Sequence, residues 1–113
     1  MERGISPQIT INNWRLIMSI EIEIIVTRHA ALIKYLKEIG LATDNTIVVS
    51  HATPDVVRGK NVLGVLPHSL SCLTETFTEV PLNLPPEMRG KELTLEDMRK
   101  YSSDPVTYVV TRV

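Results

Sequence analysis

The chain holds a single cysteine, Cys72. That excludes a disulfide framework and a multi-cysteine metal site, and it suits a reducing cytoplasm. Cys72, in an expected helix, reads as a small core residue. Aromatic residues make up only 4%, which argues against a stacking platform for single-stranded nucleic acid. The formal net charge is −1, so there is no basic field to hold a long nucleic acid, although a local cationic cluster can still catch a small anion. No apolar run is long enough to span a bilayer. The N-terminus has no apolar core followed by a small-residue cleavage site.

What remains is an ordinary globular composition: 113 residues, 43% hydrophobic and 22% charged, enough for one domain. Pro7, Asn12 and Asn13 break any period near the start. A flexible extension is therefore expected over residues 1–17, and a single domain over 18–113.

The stretch from Ile22 to Gly40 organises that domain. Residues 20–26 alternate and then run apolar, as a strand half exposed at its start and buried on both faces at its end. A helix is expected from Ala30, with Leu32, Leu36 and Ile39 on one face and Gly40 at C′. Further strands are expected at 46–50, 62–66, 79–84 and 106–111. Residues 52–61 read as a loop with at most one helical turn. Gly64 inside the third strand suggests close approach by a backbone or ligand. A helix opening at Pro67 would turn Leu70, Leu73 and Phe77 inward. Thr94 and Asp97 make a capping-box start to a short helix through Tyr101. Strands alternating with helices give an α/β layer fold with a largely parallel sheet of about five strands, the last free to run antiparallel.

The polar groups fall where ligands bind in such sheets. His29, His51 and His68 follow the first, second and third strands. Parallel strands would bring all three to the carboxyl edge, with Arg28 and Ser69 beside them. The turn Thr27-Arg28-His29 leads into a helix N-terminus, which offers unpaired N–H groups and a positive dipole end. Arg28 adds a planar fork suited to phosphate, and His29 a group that moves protons near neutral pH. The plain structural alternative for His29 is a hydrogen-bonded turn residue.

Three chemistries could use this edge. One is metal-free phosphodiester or phosphoryl chemistry, with Arg28 and helix amides on the anion and a histidine as acid or base. A second is a metal site from the three histidines and Asp55, for which no fixed spacing speaks. The third is a phosphohistidine enzyme, since VTRHA and VVSHA resemble histidine-phosphatase motifs. Against it, Ala30 stands where that motif has glycine, and the two motifs lie too close together.

The segments IVTRHAALIKYLKEIG, VVSHATPDVVRGKNVLGVLP and LPPEMRGKELTLEDM, with the valine-rich end, resemble a family of small accessory proteins of type III CRISPR systems, number sixteen in the Csx series. The resemblance runs from about Met18 to Val113. It implies a Rossmann-like three-layer fold, a homodimer in the cytoplasm, and a ring nuclease. Such an enzyme would bind and cleave cyclic oligoadenylate, cyclic tetra-adenylate above all, and so switch off type III signalling. It calls for no cofactor, metal or membrane. Carried over by motif, Arg28, His29 and His51 would be catalytic, and Thr27, Leu66, Pro67, Arg89 and Gly90 would bind ligand; Ser69, from the edge argument, joins them. His68 lies outside the pattern. A protein that binds the cyclic nucleotide without cutting it, as a sponge or sensor, would use the same residue types. Arg89 can also be read as a solvated loop cation.

Overall fold

Strands of three or four residues, separated by turns and short helices, build the sheet. The computed structural model describes residues 20–113; the extension expected over residues 1–17 lies outside them. Five strands form one sheet: β1 (Ile24–Val26), β2 (Ile47–Val49), β3 (Asn61–Gly64), β4 (Thr76–Glu79) and β5 (Val106–Tyr108). The order is β2-β1-β3-β4-β5. β1 pairs in parallel with both β2 and β3, β3 pairs in parallel with β4, and β5 runs antiparallel to β4. The helices are α1 (Ala30–Glu38), α2 (Pro54–Val57), α3 (His68–Ser71) and α4 (Leu95–Tyr101), with a 3₁₀ turn at Pro86–Met88. This is the small α/β domain with a mostly parallel sheet that the sequence pattern predicts.

Successive strand residues face opposite sides, and that alternation divides the core. Ile25 and Leu63 join Leu36, Leu41 and Ala42, with Leu32 of α1 and Ile39, its C-cap residue, packed against them. Ile24 and Val62 join Val57 of α2, with Val56 and Leu70 against them. Strands buried on both faces read as the continuous runs IIV and NVLG.

Local chemistry sets the helix ends. Gly40 takes φ +86° after α1. Its N–H donates to the Lys37 carbonyl at 3.3 Å and the Leu41 N–H to the Leu36 carbonyl at 2.9 Å, which is the Schellman pattern. Leu41 is thereby turned into the cluster that holds Leu36. At α4 the Thr94 hydroxyl accepts from the Asp97 N–H at 3.1 Å, and the Asp97 carboxylate accepts from the Thr94 N–H at 3.0 Å.

Four expectations fail. The first strand is shorter than residues 20–26, although the Glu23 N–H still donates to the Asn61 carbonyl at 2.9 Å. The helix after Pro67 is a single turn and does not reach Phe77. Thr74 Oγ1 donates to the Ser71 carbonyl at 2.7 Å, a local bond that competes with helix continuation. Phe77 therefore lies in β4, at 76–79 and not 79–84: Thr76, Thr78 and Phe77 are strand formers, and Pro81 cannot extend the ladder. The last strand likewise stops at Tyr108 rather than residue 111.

Candidate functional site

The chain leaves β1 at Val26 and enters α1 at Ala30, so Thr27, Arg28 and His29 form the whole connection. The Thr27 hydroxyl accepts from the His29 N–H at 3.1 Å. His29 is the N-cap residue of α1, and its side chain caps nothing, so the ring is not consumed in holding the helix. The Arg28 Nε donates to the Ser50 carbonyl at 3.4 Å. That contact leans the guanidinium toward the end of β2; among the described residues its two terminal nitrogens make no hydrogen bond. Both side chains are exposed.

Strand order places this turn at a switch point. From β1 the chain goes one way to β2, then crosses β1 to reach β3. In open α/β sheets the crevice outside the carboxyl ends at such a reversal takes the ligand. β1 and β3 touch here without a side chain between them. Gly64 has φ +153°, and a Cβ there would run into the Val26 carbonyl, the close backbone approach that a glycine in this strand suggests.

Two recesses meet at the turn. One, of about 230 Å³, is lined by Val26, Thr27, Arg28, His29, Ser50 and Val65. The other is a cleft of about 580 Å³ between Arg28 and His29 on one side and the segment from Leu82 to Leu93 on the other. Leu82, Leu84, Met88 and Leu93 give it an apolar wall, and Lys91 and Glu92 add one charge of each sign. That wall is tethered at its start, where Leu82 bridges Ser102. The Asn83 N–H donates to the Tyr101 carbonyl at 2.9 Å and the Ser103 N–H to the Pro81 carbonyl at 2.8 Å. On α4, Arg99 Nε donates to Glu38 Oε2 of α1 at 2.8 Å. This bond holds the Glu38 carboxyl below its ordinary range. The arrangement sets Arg28 and the N-terminus of α1 on one wall and a largely apolar surface that also carries Lys91 and Glu92 on the other, which suits a phosphate with an attached base.

The three histidines do follow three parallel strands, at one edge of the sheet. They do not converge on an ion: among the described residues no three His, Cys, Asp or Glu side chains are grouped as metal ligands. The alternative metal set of three histidines with Asp55 is not assembled among the described residues. Asp55 instead accepts from Arg58 Nη1 at 3.0 Å. Among the described residues, His51, Leu66, Pro67, Ser69 and Arg89 line neither recess at the turn, whereas Gly90 lines the larger one. Leu66 and Ser69 border separate hollows beside α3, as does His68. Sequence reasoning missed Lys91, Glu92 and the leucine wall. For Lys91 and Glu92 the one signal is position, directly after Arg89-Gly90. The Ser50 carbonyl carries no side-chain signal at all.

Fold and site thus define a small α/β domain with the exposed turn Thr27-Arg28-His29 at its switch point. The family described as "Putative CRISPR-associated protein (Cas_VVA1548)" matches residues 24–111, and the chain belongs to that family. No curated protein and no solved structure matches it. Among the described residues no helix is long and apolar enough to cross a membrane.

Proposed function

We propose that the protein is a cytoplasmic, metal-independent ring nuclease that opens cyclic oligoadenylate, cyclic tetra-adenylate in particular, and so ends type III CRISPR signalling. The observation that carries this reading is the cleft that sets Arg28 and His29 against Gly90, Lys91 and an apolar wall. Membership of a CRISPR-associated family supports it. So does helix packing on both faces of a parallel sheet, in keeping with a Rossmann-like three-layer fold.

The reaction is an internal transfer. The ribose 2′-oxygen attacks the adjacent phosphorus in line, its proton passing to a base or to water. The bond from phosphorus to the 5′-oxygen breaks, and that oxygen takes a proton. The products are a 2′,3′-cyclic phosphate and a free 5′-hydroxyl on a linear chain. Arg28 and the first N–H groups of α1 hold the non-bridging oxygens as charge builds on them. His29 protonates the leaving oxygen or stabilises the pentacoordinate phosphorus. His51, outside the recesses, takes second place for either role. Thr27 shapes the turn through its bond to the His29 N–H. A ring with two-fold symmetry suits a homodimer in which each subunit presents the same edge.

Incubation of the purified chain with cyclic tetra-adenylate in EDTA, resolved by liquid chromatography and mass spectrometry, tests the reading. Linear products ending in a 2′,3′-cyclic phosphate, lost in Arg28→Ala, are expected. A ring recovered intact but co-eluting with the protein would replace this reading with that of a sponge or sensor. The exposure of His29, whose side chain no capping bond orients, favours that second reading. A ring neither bound nor cut rejects both.

A further inference from the structure

Val65 is 90% exposed and stands as a ridge between two recesses. On one side is the groove with Thr27, Arg28 and His29. On the other is a cavity of about 260 Å³ between α3 and the β4–β5 edge. The reaction proposed above uses nothing in this second cavity. Its apolar surface comes from Leu66, Phe77 and Val110, and its polar groups include His68, Glu79 and Tyr108. A mostly apolar hollow with a few fixed polar groups is the ordinary form of a small-ligand site.

Glu79 is the group that gives it selectivity. Tyr108 lies across the β4–β5 ladder from Phe77, and its hydroxyl donates to Glu79 Oε1 at 3.0 Å. That bond holds the Tyr108 phenol above its usual range. One carboxylate oxygen is thereby fixed. Among the described residues, the other accepts no hydrogen bond. It is an acceptor without a donor beside an aromatic ring and aliphatic walls. A flat heterocycle that carries an exocyclic amine meets all three: stacking and apolar contact for the ring, a carboxylate for the amine.

We propose that this cavity seats an adenine base whose attached phosphate lies beyond the Val65 ridge at Arg28 and His29, and that Glu79 reads the adenine amine. The inference rests on the cyclic oligoadenylate reading and deepens it: Glu79 selects adenine over bases that carry a carbonyl at that position. His68, at the start of α3, borders the same cavity, which gives a use to the one histidine the cleavage step leaves aside.

The test is a titration of the full chain, labelled with ¹⁵N, with AMP and with IMP, followed by amide spectra. AMP should move the signals of Phe77–Glu79 and Tyr108–Val110, and IMP should bind about tenfold more weakly, as expected for one lost hydrogen bond to a charged group. Glu79→Gln keeps an acceptor for Tyr108 and so keeps the fold; it should bring the two nucleotides within about threefold. Tyr108→Phe, which releases the carboxylate, should narrow the same ratio while leaving binding of inorganic phosphate unchanged. AMP signals confined to residues 27–29 and 88–92, or a ratio unaltered in Glu79→Gln, overturn the proposal. Cyclic tetra-adenylate separates the two readings. If AMP moves residues 77–79 but the ring is neither bound nor cut, the adenine pocket stands and the ring nuclease falls. If the ring is opened equally well by the wild type and Glu79→Gln with the same base preference, the ring nuclease stands and the pocket falls.

Discussion

Replacing Gly64 by alanine probes the junction on which the site rests. Gly64 pairs with Val26, the residue immediately before the Thr27-Arg28-His29 turn. Two costs arise on substitution. A side chain at φ +153° is strained by about 1–2 kcal/mol. The added methyl also meets the Val26 carbonyl oxygen, with the Val26 carbonyl carbon and Cβ each at 3.2 Å. Backbone cannot swing aside as a flexible side chain would, so overpacking adds about 1–3 kcal/mol. The sum, about 2–5 kcal/mol, is a large share of the ~5–15 kcal/mol that holds a domain of this size together. Gly59 supplies the control. It has φ +71° with no atom within 4 Å of a built Cβ, so Gly59→Ala carries the conformational cost of about 1–2 kcal/mol without the collision. Urea unfolding followed by circular dichroism should give a midpoint for Gly64→Ala roughly 0.5–2 M below that of Gly59→Ala. Equal midpoints would refute the claim that β1 and β3 are locked together at the switch point.

Other predictions concern the frame around the cleft. Thr94→Ala removes the hydroxyl half of the capping box and should destabilise the protein by about 1 kcal/mol in urea unfolding. The Glu38 carboxyl titrates below its ordinary value of 4.5, chiefly through its hydrogen bond from Arg99. Its contribution to stability is therefore present above pH 4.5 and lost as pH falls through the lower folded value. Glu38→Gln should flatten that part of the profile of urea midpoint against pH. An unchanged acid limb would mean that the bond from Arg99 does not persist in solution.

Some features were legible because short-range chemistry decides them. Gly40 ends α1 since only a residue at ease with φ +86° closes that turn. Thr94 and Asp97 start α4 because each side chain satisfies the other's backbone N–H. The carboxyl-edge histidines follow from strand alternation alone. β4 was misread because Leu70, Leu73 and Phe77 carry helical spacing, while threonine hydroxyls and the pairing of Val62 with Phe77 draw the segment into the sheet. The cleft was only half visible. Arg28 and His29 announce themselves after a strand, but the opposite wall depends on how α4 docks on α1 through Arg99 and Glu38, a contact 61 residues apart in sequence. No local pattern encodes that distance.

The central claim, that the turn after β1 performs the chemistry, is met most directly by a quenched single-turnover time course with cyclic tetra-adenylate in EDTA. Wild type and His29→Ala are compared, and ring affinity is measured on both. His29 is exposed and caps nothing, so its removal should leave the fold intact and affinity within about threefold. Ring opening should slow by about 10²-fold or more, the usual worth of a positioned acid. Equal rates of opening in the two proteins, or tight binding by wild type with no opening, would contradict the account.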